Sequence, residues 1–124
     1  MSEGSDLTVL GNRVTEPIKH VETFANPGVD RVVMHAFEFT ARCPITQQPD
    51  FGTVTIEYVP RRKCIESKSL KLYLLGFRER GVFSEALAVE ILGEVEDTVD
   101  PKEATVTIKQ DPRGGISIEA VASL

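Results

Sequence analysis

The order of the sequence patterns predicts an α+β domain, in which an antiparallel four-stranded sheet carries two helices on one face. Two segments with strand-like alternation come first, two segments with helical spacing follow, and two more alternating segments end the chain. With 124 residues, of which 41% are hydrophobic, the chain is long enough to bury one core. The polar residues 1–17, with Gly4, Gly11 and Pro17, predict a tail, and residues 18–124 predict the folded domain.

The first two strands are predicted on either side of a loop. Arg31–Thr40 is rich in β-branched and aromatic residues that alternate between two faces, and Phe37 and Phe39 fall on the same face. Phe51–Pro60 alternates in the same way until its proline ends the strand. The stretch CPITQQPD, Cys43–Asp50, is rich in turn-forming residues, so we expect it to connect the two strands.

Two helices are predicted in the middle of the chain. Between Glu66 and Gly81, apolar residues recur at i, i+3, i+4 and i+7, and the glycine is expected to stop the helix. The second helix is predicted from Ser84, as N-cap, to about Asp97, because apolar residues recur there at every fourth position.

The last two strands, ATVTIKQ and GISIEAV, are predicted to be joined by a turn at DPRGG. A sheet this small leaves unpaired backbone groups on its edge strands, and one remedy is to continue the sheet into neighbouring copies of the chain. We therefore expect an oligomer that forms a ring.

Composition limits the partners and the compartment. The chain has 19 acidic against 14 basic residues, and a formal charge of -5 argues against a protein that binds nucleic acid directly. No apolar run approaches the roughly 20 residues that cross a bilayer, and the N-terminus lacks the pattern of a secretory signal. Two cysteines permit at most one disulfide bond. We expect a cytoplasmic protein without a membrane partner.

Cys43 and Asp50 are the first candidates for chemistry. They frame the loop between two predicted strands, so a thiol nucleophile and a proton-carrying carboxyl group could face one cavity. The alternatives are a buried cysteine that packs as a small hydrophobe and an aspartate that belongs to a turn. Cys64 follows Arg62 and Lys63, which would favour a thiolate if it were exposed, but we assign it a structural role.

A second group of polar residues lies at the start of the first predicted helix. Lys68 and Lys71 share a helical face, with Ser67 and Ser69 nearby and Glu66 at the helix start. Such cations and hydroxyls could hold a phosphate. The alternative is a solvated face of an amphipathic helix.

Three further positions could bind parts of a ligand. Arg113 next to Gly114 offers a cation on a backbone that a ligand can approach closely, although a hairpin turn explains the glycine equally well. Glu85 and Glu22 could accept hydrogen bonds from a guanine-like edge. For Glu85, the alternative is a first-turn glutamate that the helix dipole favours.

These segments together resemble a known family. FTARCPITQQPDFGTVTIEYVP, CIESKSLKLYLLGFRERGVFSE and DPRGGISIE closely resemble the single-module NADPH-dependent 7-cyano-7-deazaguanine reductases, the nitrile reductases of queuosine biosynthesis. The resemblance runs from Leu7 to Glu119, and ESKSLKLY is the family's signature. It implies a tunnelling fold, subunits in rings that stack face to face, and active sites at subunit interfaces. It also implies that two hydrides from NADPH reduce the nitrile to an aminomethyl group without a metal.

The resemblance also assigns roles to individual residues. Cys43 matches the nucleophile that attacks the nitrile carbon to form a thioimide, and Asp50 matches the group that transfers protons. Glu85 matches the carboxylate that binds the deazaguanine edge, and Glu22 lies in a segment that lines the same pocket. The signature implies NADPH binding by Glu66, Ser67, Lys68, Ser69 and Lys71, and we extend this to the phosphate contacts of Arg113 and Gly114.

The chain departs from the family pattern beside the base-binding glutamate. Ser84 stands where the family usually has histidine, and Leu87 stands where it has cysteine. Ser84 remains a predicted substrate-binding position. The departure keeps open a non-catalytic ring protein that binds purines. A further alternative is the related amidinotransferase branch, which acts on a nitrile already in transfer RNA, although that branch lacks ESKSLKLY.

Overall fold

The computed structural model describes residues 16–124, so the predicted tail over residues 1–17 lies almost entirely outside the described part. The predicted order of four long strands and two helices is confirmed, and two short strands, β1 and β4, are added to it. The elements are β1 Thr23–Ala25, β2 Val32–Arg42, β3 Pro49–Val59, β4 Lys63–Ile65, α1 Ser67–Leu75, α2 Ser84–Val99, β5 Glu103–Arg113 and β6 Ile116–Ser123.

The four long strands form one antiparallel sheet in the order β2-β3-β5-β6. The short strands β1 and β4 form a separate antiparallel pair, in which Thr23 lies opposite Ile65. Tyr58, near the end of β3, accepts a hydrogen bond from the Ile65 N–H at 2.8 Å, so this small pair is held at that end of the main sheet. Within residues 16–124, β2 and β6 are the edges of the four-stranded sheet.

Both helices cover the same face of the sheet, as predicted. Alternate residues of β3 and β5 are buried and join the apolar stripes of α1 and α2 in a single core. The expected alternation of β3 and the helical spacing of both helices are therefore confirmed. The central core residues are Val54, Ile56, Tyr58, Leu70, Tyr73, Leu74, Phe77, Leu87, Ile91, Val95, Val106 and Ile108.

A bulge in β2 overturns one expectation about its faces. The pairing register with β3 shifts between Ala36 and Phe39, and Glu38 has a φ of 60°. An extra residue in one strand exchanges the faces of the residues that follow it. Phe37 is therefore 72% exposed while Phe39 is 8% exposed, and the prediction that they share a face is wrong.

The helix ends also differ from the sequence patterns. Helix α1 ends at Leu75, before the predicted stop at Gly81, because the next amides bond to carbonyls only three residues back, for example Gly76 N–H to the Tyr73 carbonyl at 3.1 Å. Helix α2 has Phe83 as its N-cap, without a side-chain cap bond, so the prediction of Ser84 as N-cap is wrong. No helix within residues 16–124 has the length and apolar content to cross a bilayer.

The predicted turn between the last two strands is confirmed. Gly114 and Gly115 have φ values of 58° and 80°, which is the left-handed conformation that a two-residue hairpin turn requires. The pairing of β5 with β6 is irregular between Gln110 and Arg113, so the tip of this hairpin departs from the regular ladder.

Candidate active site

The cysteine loop, residues 43–48, connects β2 to β3 and is closed by its own backbone. The Cys43 N–H donates to the Gln48 carbonyl at 2.9 Å, and the Gln47 N–H donates to the Cys43 carbonyl at 2.9 Å. Gln47 has a φ of 61°, which allows the chain to reverse within this short span. The fold thus fixes the backbone that carries the candidate nucleophile.

Arg42 attaches the cysteine loop to the segment between α1 and α2. Its N–H donates to the Arg80 carbonyl at 2.9 Å, and its carbonyl accepts from the Val82 N–H at 3.1 Å. Its guanidinium donates to the Glu79 carboxylate at 2.6 Å and to the Gln47 carbonyl at 3.0 Å. Backbone and side chain together hold the start of the loop.

Asp50 and Arg113 form an ion pair beside the cysteine loop. The Asp50 side chain, which is 14% exposed, accepts a hydrogen bond from Nη1 of Arg113. Nη2 of Arg113 donates to Oε1 of Gln48 at 3.0 Å and to Oγ1 of Thr46 at 3.3 Å. One guanidinium therefore joins the start of β3, the loop and the β5–β6 hairpin.

The local donors change the acidity of Cys43. Hydrogen bonds from the backbone and the hydroxyl of Thr46, from the backbone of Ile45 and from the Arg113 guanidinium lower the pKa of the Cys43 thiol to about 7, against a smaller opposing effect of burial. The lowered pKa favours the thiolate, which is the nucleophilic form of cysteine.

The N-terminus of α2 lies at the same end of the sheet. Ser84 is buried and donates to Oε1 of Gln110 at 2.8 Å, and Gln110 pairs with Gly52 near the start of β3. Glu85 follows in the first turn of α2 and is exposed. A side chain at Gly52 would place its Cβ 2.2 Å from the Lys109 carbonyl oxygen, so only glycine permits this approach of β5.

At the start of α1, the fold uses two side chains of the signature. Glu66 is the N-cap, and its carboxylate accepts from the Lys68 N–H and the Ser69 N–H, both at 2.8 Å. Ser69 is fully buried; its hydroxyl accepts from the Glu22 N–H at 2.8 Å and donates to the Glu66 carbonyl at 2.7 Å. These bonds fix the helix start against the segment that carries Glu22.

A groove of about 410 Å³ runs between α1 and the edge strand β2. Ser67 and Lys71 line it from the helix, and Arg78 lines it from the segment that follows the helix. His35 and Phe37 line it from the strand, and their rings stack with centroids 5.8 Å apart. A hydroxyl, two cations and an aromatic platform are suited to an anionic ligand that also carries a ring.

The structure divides the predicted site residues between two ends of the protomer. One end holds Cys43, Asp50, Ser84, Glu85, Arg113 and Gly114, and the other holds Glu22, Glu66, Ser67, Lys68 and Ser69. Lys71 lies one turn further along α1, in the groove. Gly52 and Tyr58 mark these two ends on β3, and the six residue steps from one to the other correspond to about 20 Å. Arg113 lies with Asp50 and not with the signature helix.

Several residues of the site were missed by the sequence analysis. Thr46 and Gln48 lie inside CPITQQPD, between the two candidate catalytic residues. That position could have indicated that they belong to the site. Arg78 lies three residues beyond the end of α1, and the sequence analysis did not select it. Gln110 has no local signal, because its contact with Ser84 joins residues 26 positions apart.

Fold and site together define an α+β domain with a low-pKa cysteine beside a carboxylate, an arrangement typical of enzymes that use a covalent thiol intermediate. A family model described as "QueF-like protein" matches residues 49–124. The chain therefore belongs to the QueF-like protein family, and the family resemblance predicted from the sequence is confirmed.

Curated relatives with high identity share one name, NADPH-dependent 7-cyano-7-deazaguanine reductase. The protein from Halorhodospira halophila is 47% identical over 105 residues, covering 82% of this chain and 89% of the relative. The protein from Alkalilimnicola ehrlichii is 46% identical, covering 87% and 86% of the two chains. The protein from Streptococcus mutans is 43% identical, covering 94% and 77%.

A solved structure shares the fold. The chain superposes on the apo crystal structure of the archaeosine synthase QueF-Like with a TM-score of 0.73 and 29% sequence identity. The match covers 77% of this chain and 94% of that one. This likeness supports the tunnelling fold that the sequence resemblance implied.

Proposed function

We propose that the protein reduces the nitrile of 7-cyano-7-deazaguanine to an aminomethyl group with two molecules of NADPH, in queuosine biosynthesis. The observation that carries the proposal is the 42–47% identity to reductases of this name over at least 82% of the chain. The acidified Cys43 thiol beside Asp50 supplies a chemistry that suits this reaction.

The two candidate catalytic residues have different roles in the first step. The Cys43 sulfur bonds to the nitrile carbon, one C–N π bond breaks, and the nitrile nitrogen takes up a proton to give a thioimide. Asp50 carries that proton, so the net change is addition of S–H across C≡N. NADPH supplies a hydride in each of the two reduction steps. After the first hydride, the C–S bond breaks, which returns the Cys43 thiolate and leaves an imine, and the second hydride with a proton would reduce that imine to the amine.

The groove along α1 is proposed as the NADPH site. Lys71 and Arg78 offer cations for the cofactor's phosphates, Ser67 offers a hydroxyl, and the stacked rings of His35 and Phe37 offer a surface for a base. Lys68 belongs to the same helix turn. Glu66 and Ser69 contribute indirectly, because their side chains fix the start of the helix.

The two carboxylates predicted to hold the substrate need neighbouring subunits. Glu85 lies at the cysteine end of the sheet and Glu22 at the α1 start, about 20 Å apart along β3. One deazapurine is smaller than that span. We therefore propose that the pocket forms at a subunit interface, where Glu22 of one copy meets Ser84 and Glu85 of another.

The sheet edges support a ring. Strands β2 and β6 are 11 and 8 residues long and form the edges of the sheet in the described part of the chain. They expose Val33, Phe37, Ile116 and Val121. Long apolar edges of this kind commonly pair with another chain. We propose rings that stack face to face in the cytoplasm, without a nucleic-acid partner.

The direct test incubates the protein with free 7-cyano-7-deazaguanine and NADPH. We expect loss of NADPH absorbance, formation of the amine, and a mass increase on the peptide that contains Cys43 when NADPH is omitted. The Cys43→Ala variant is the control and should show neither change. An unmodified Cys43 together with constant NADPH absorbance would leave a purine-binding ring protein and overturn the proposal.

The similarity to the archaeosine synthase structure favours a second candidate, the amidinotransferase-type reaction. There, ammonia and not hydride would attack the thioimide. In the same assay this candidate gives the adduct without consumption of NADPH. The identity of 42–47% to the reductases, against 29% to the synthase structure, favours the reduction.

A further inference from the structure

We propose that Arg113 is a positioning residue for the catalytic pair, whose guanidinium holds the Asp50 carboxylate and the loop that carries Cys43. This rests on the proposed function, since it assigns Arg113 to the chemistry of that site. The sequence analysis predicted contacts of Arg113 with cofactor phosphates; in the structure its guanidinium pairs with Asp50.

The contacts of Arg113 use both of its terminal nitrogens. Nη1 donates to Asp50, and Nη2 donates to Gln48 at 3.0 Å and to Thr46 at 3.3 Å. The same guanidinium is one of the groups that lower the pKa of the Cys43 thiol. A planar guanidinium holds several acceptors in fixed directions, whereas an ammonium acts as a point charge.

The hairpin is shaped to deliver this side chain. The β5–β6 register becomes irregular after Gln110, and Gly114 and Gly115 form the tight turn that follows. Gln110 is itself fixed through the hydroxyl of Ser84 at 2.8 Å. A bulge next to an active site commonly redirects one side chain, and here the redirected residue is Arg113.

The charge balance gives Arg113 its function. During the first step the site holds a thiolate and a carboxylate, two like charges whose ionised forms oppose each other without a cation between them. Arg113 balances the charge of the pair, so the thiolate can attack the nitrile carbon while Asp50, after it has taken up a proton, donates that proton to the nitrile nitrogen. Of the other charges in this region, Arg42 and Glu79 are paired with each other, and Asp111 lies on the same hairpin.

The test measures how fast iodoacetamide alkylates Cys43 as a function of pH, read on the Cys43 peptide by mass spectrometry. In Arg113→Gln, we expect the pH midpoint to rise and the rate at pH 7 to fall about twofold, because Arg113 is one of several groups that lower the Cys43 pKa. Arg113→Lys should shift the pH midpoint less than Arg113→Gln does. Arg31→Gln is the matched control, because Arg31 pairs with Glu57 at 2.6 Å on the other end of the sheet, and it should shift nothing.

A second arm isolates the coupling to the carboxylate. In an Asp50→Asn background, loss of Arg113 should move the alkylation midpoint less than in the wild type, because the repulsion from the carboxylate is already gone. Thermal unfolding of each variant checks its fold, and Arg113→Lys carries the test if Arg113→Gln does not fold. An unchanged midpoint with a raised KM for NADPH alone overturns the proposal. A shifted midpoint in a protein that forms no nitrile adduct refutes the reductase function and leaves the role of Arg113 standing.

Discussion

The two cysteines lie at opposite ends of β3 and have opposite chemical character. Cys43 is partly exposed in a loop, where nearby donors lower its pKa to about 7. Cys64 is 3% exposed in β4, and burial raises its pKa above the usual value. The residue type is the same, so the difference comes from several hydrogen-bond donors at Cys43 and from burial at Cys64, where the hydrogen bond with Tyr58 offsets burial only in part.

The surroundings of each cysteine extend this contrast. Around Cys64, polar groups are used to close the fold: burial raises the pKa of Tyr58 to about 12, and its hydroxyl accepts from the Ile65 N–H. Around Cys43, a loop and a hairpin leave donors directed at a sulfur atom that a ligand can reach. Covalent chemistry therefore needs the accessible end of the sheet that carries Cys43. The buried end that carries Cys64 contributes stability.

The largest effect should follow from removal of the Cys43 thiol, and removal of the Cys64 thiol provides the comparison. Cys43→Ala should abolish both the nitrile adduct and turnover with little change in stability, because the side chain lies outside the core. Cys64→Ala should keep the adduct and lower the free energy of unfolding by about 1 kcal/mol. Intact-protein mass spectrometry and urea denaturation measure both. If Cys43→Ala still forms the nitrile adduct, Cys43 is not the nucleophile, and the proposed chemical difference between the two cysteines is wrong.

Mixed oligomers test whether the two ends of different copies meet in one pocket. Cys43→Ala lacks the nucleophile, and Glu22→Ala is expected to be weak at low nitrile concentration. If the pocket combines two subunits, co-refolding the variants in equal amounts should restore about one quarter of the wild-type sites, by random pairing. The rate of NADPH oxidation measures this. If both residues act within one protomer, the NADPH oxidation rate of the mixture will not exceed the sum of the rates that the two variants show separately.

The fold followed from the sequence wherever periodicity decided it. The alternation in β3 and the apolar spacing in α1 and α2 depend on burial against one core, which a local pattern records. The bulge in β2 escaped detection, because Glu38 adopts a positive φ that its residue type does not indicate. Without that bulge in view, Phe37 and Phe39 were assigned to one face.

The candidate site was predictable only in part, for a related reason. Cys43 and Asp50 stand in one short motif, so sequence distance already suggested that they belong together. Arg113 reaches Asp50 across 63 positions, and Ser84 reaches Gln110 across 26. Such contacts depend on strand register and on a bulged hairpin, and a local sequence pattern predicts neither of these features.

A moderate effect should separate the two serines of the signature. Ser69 is fully buried and bonds to Glu22 and Glu66, so Ser69→Ala should lower the free energy of unfolding by about 1–3 kcal/mol. Ser67→Ala faces the groove and should leave stability unchanged while raising the KM for NADPH. Urea denaturation and steady-state kinetics distinguish them. Equal losses of stability would mean that Ser67 also has a structural role, and would contradict its assignment to the ligand groove.

The smallest effect concerns the donors that set Cys43 apart from Cys64. Thr46→Val keeps the shape of the side chain but removes the hydroxyl that helps lower the Cys43 pKa, so the pKa should rise. A thiol is reactive above its pKa, so alkylation by iodoacetamide at pH 7 should slow about threefold. At pH 10, both proteins are mostly thiolate and their rates should converge. Thr46→Ser, which retains a hydroxyl, is the control, and a gap that persists at pH 10 would show that the hydroxyl does not act through ionisation.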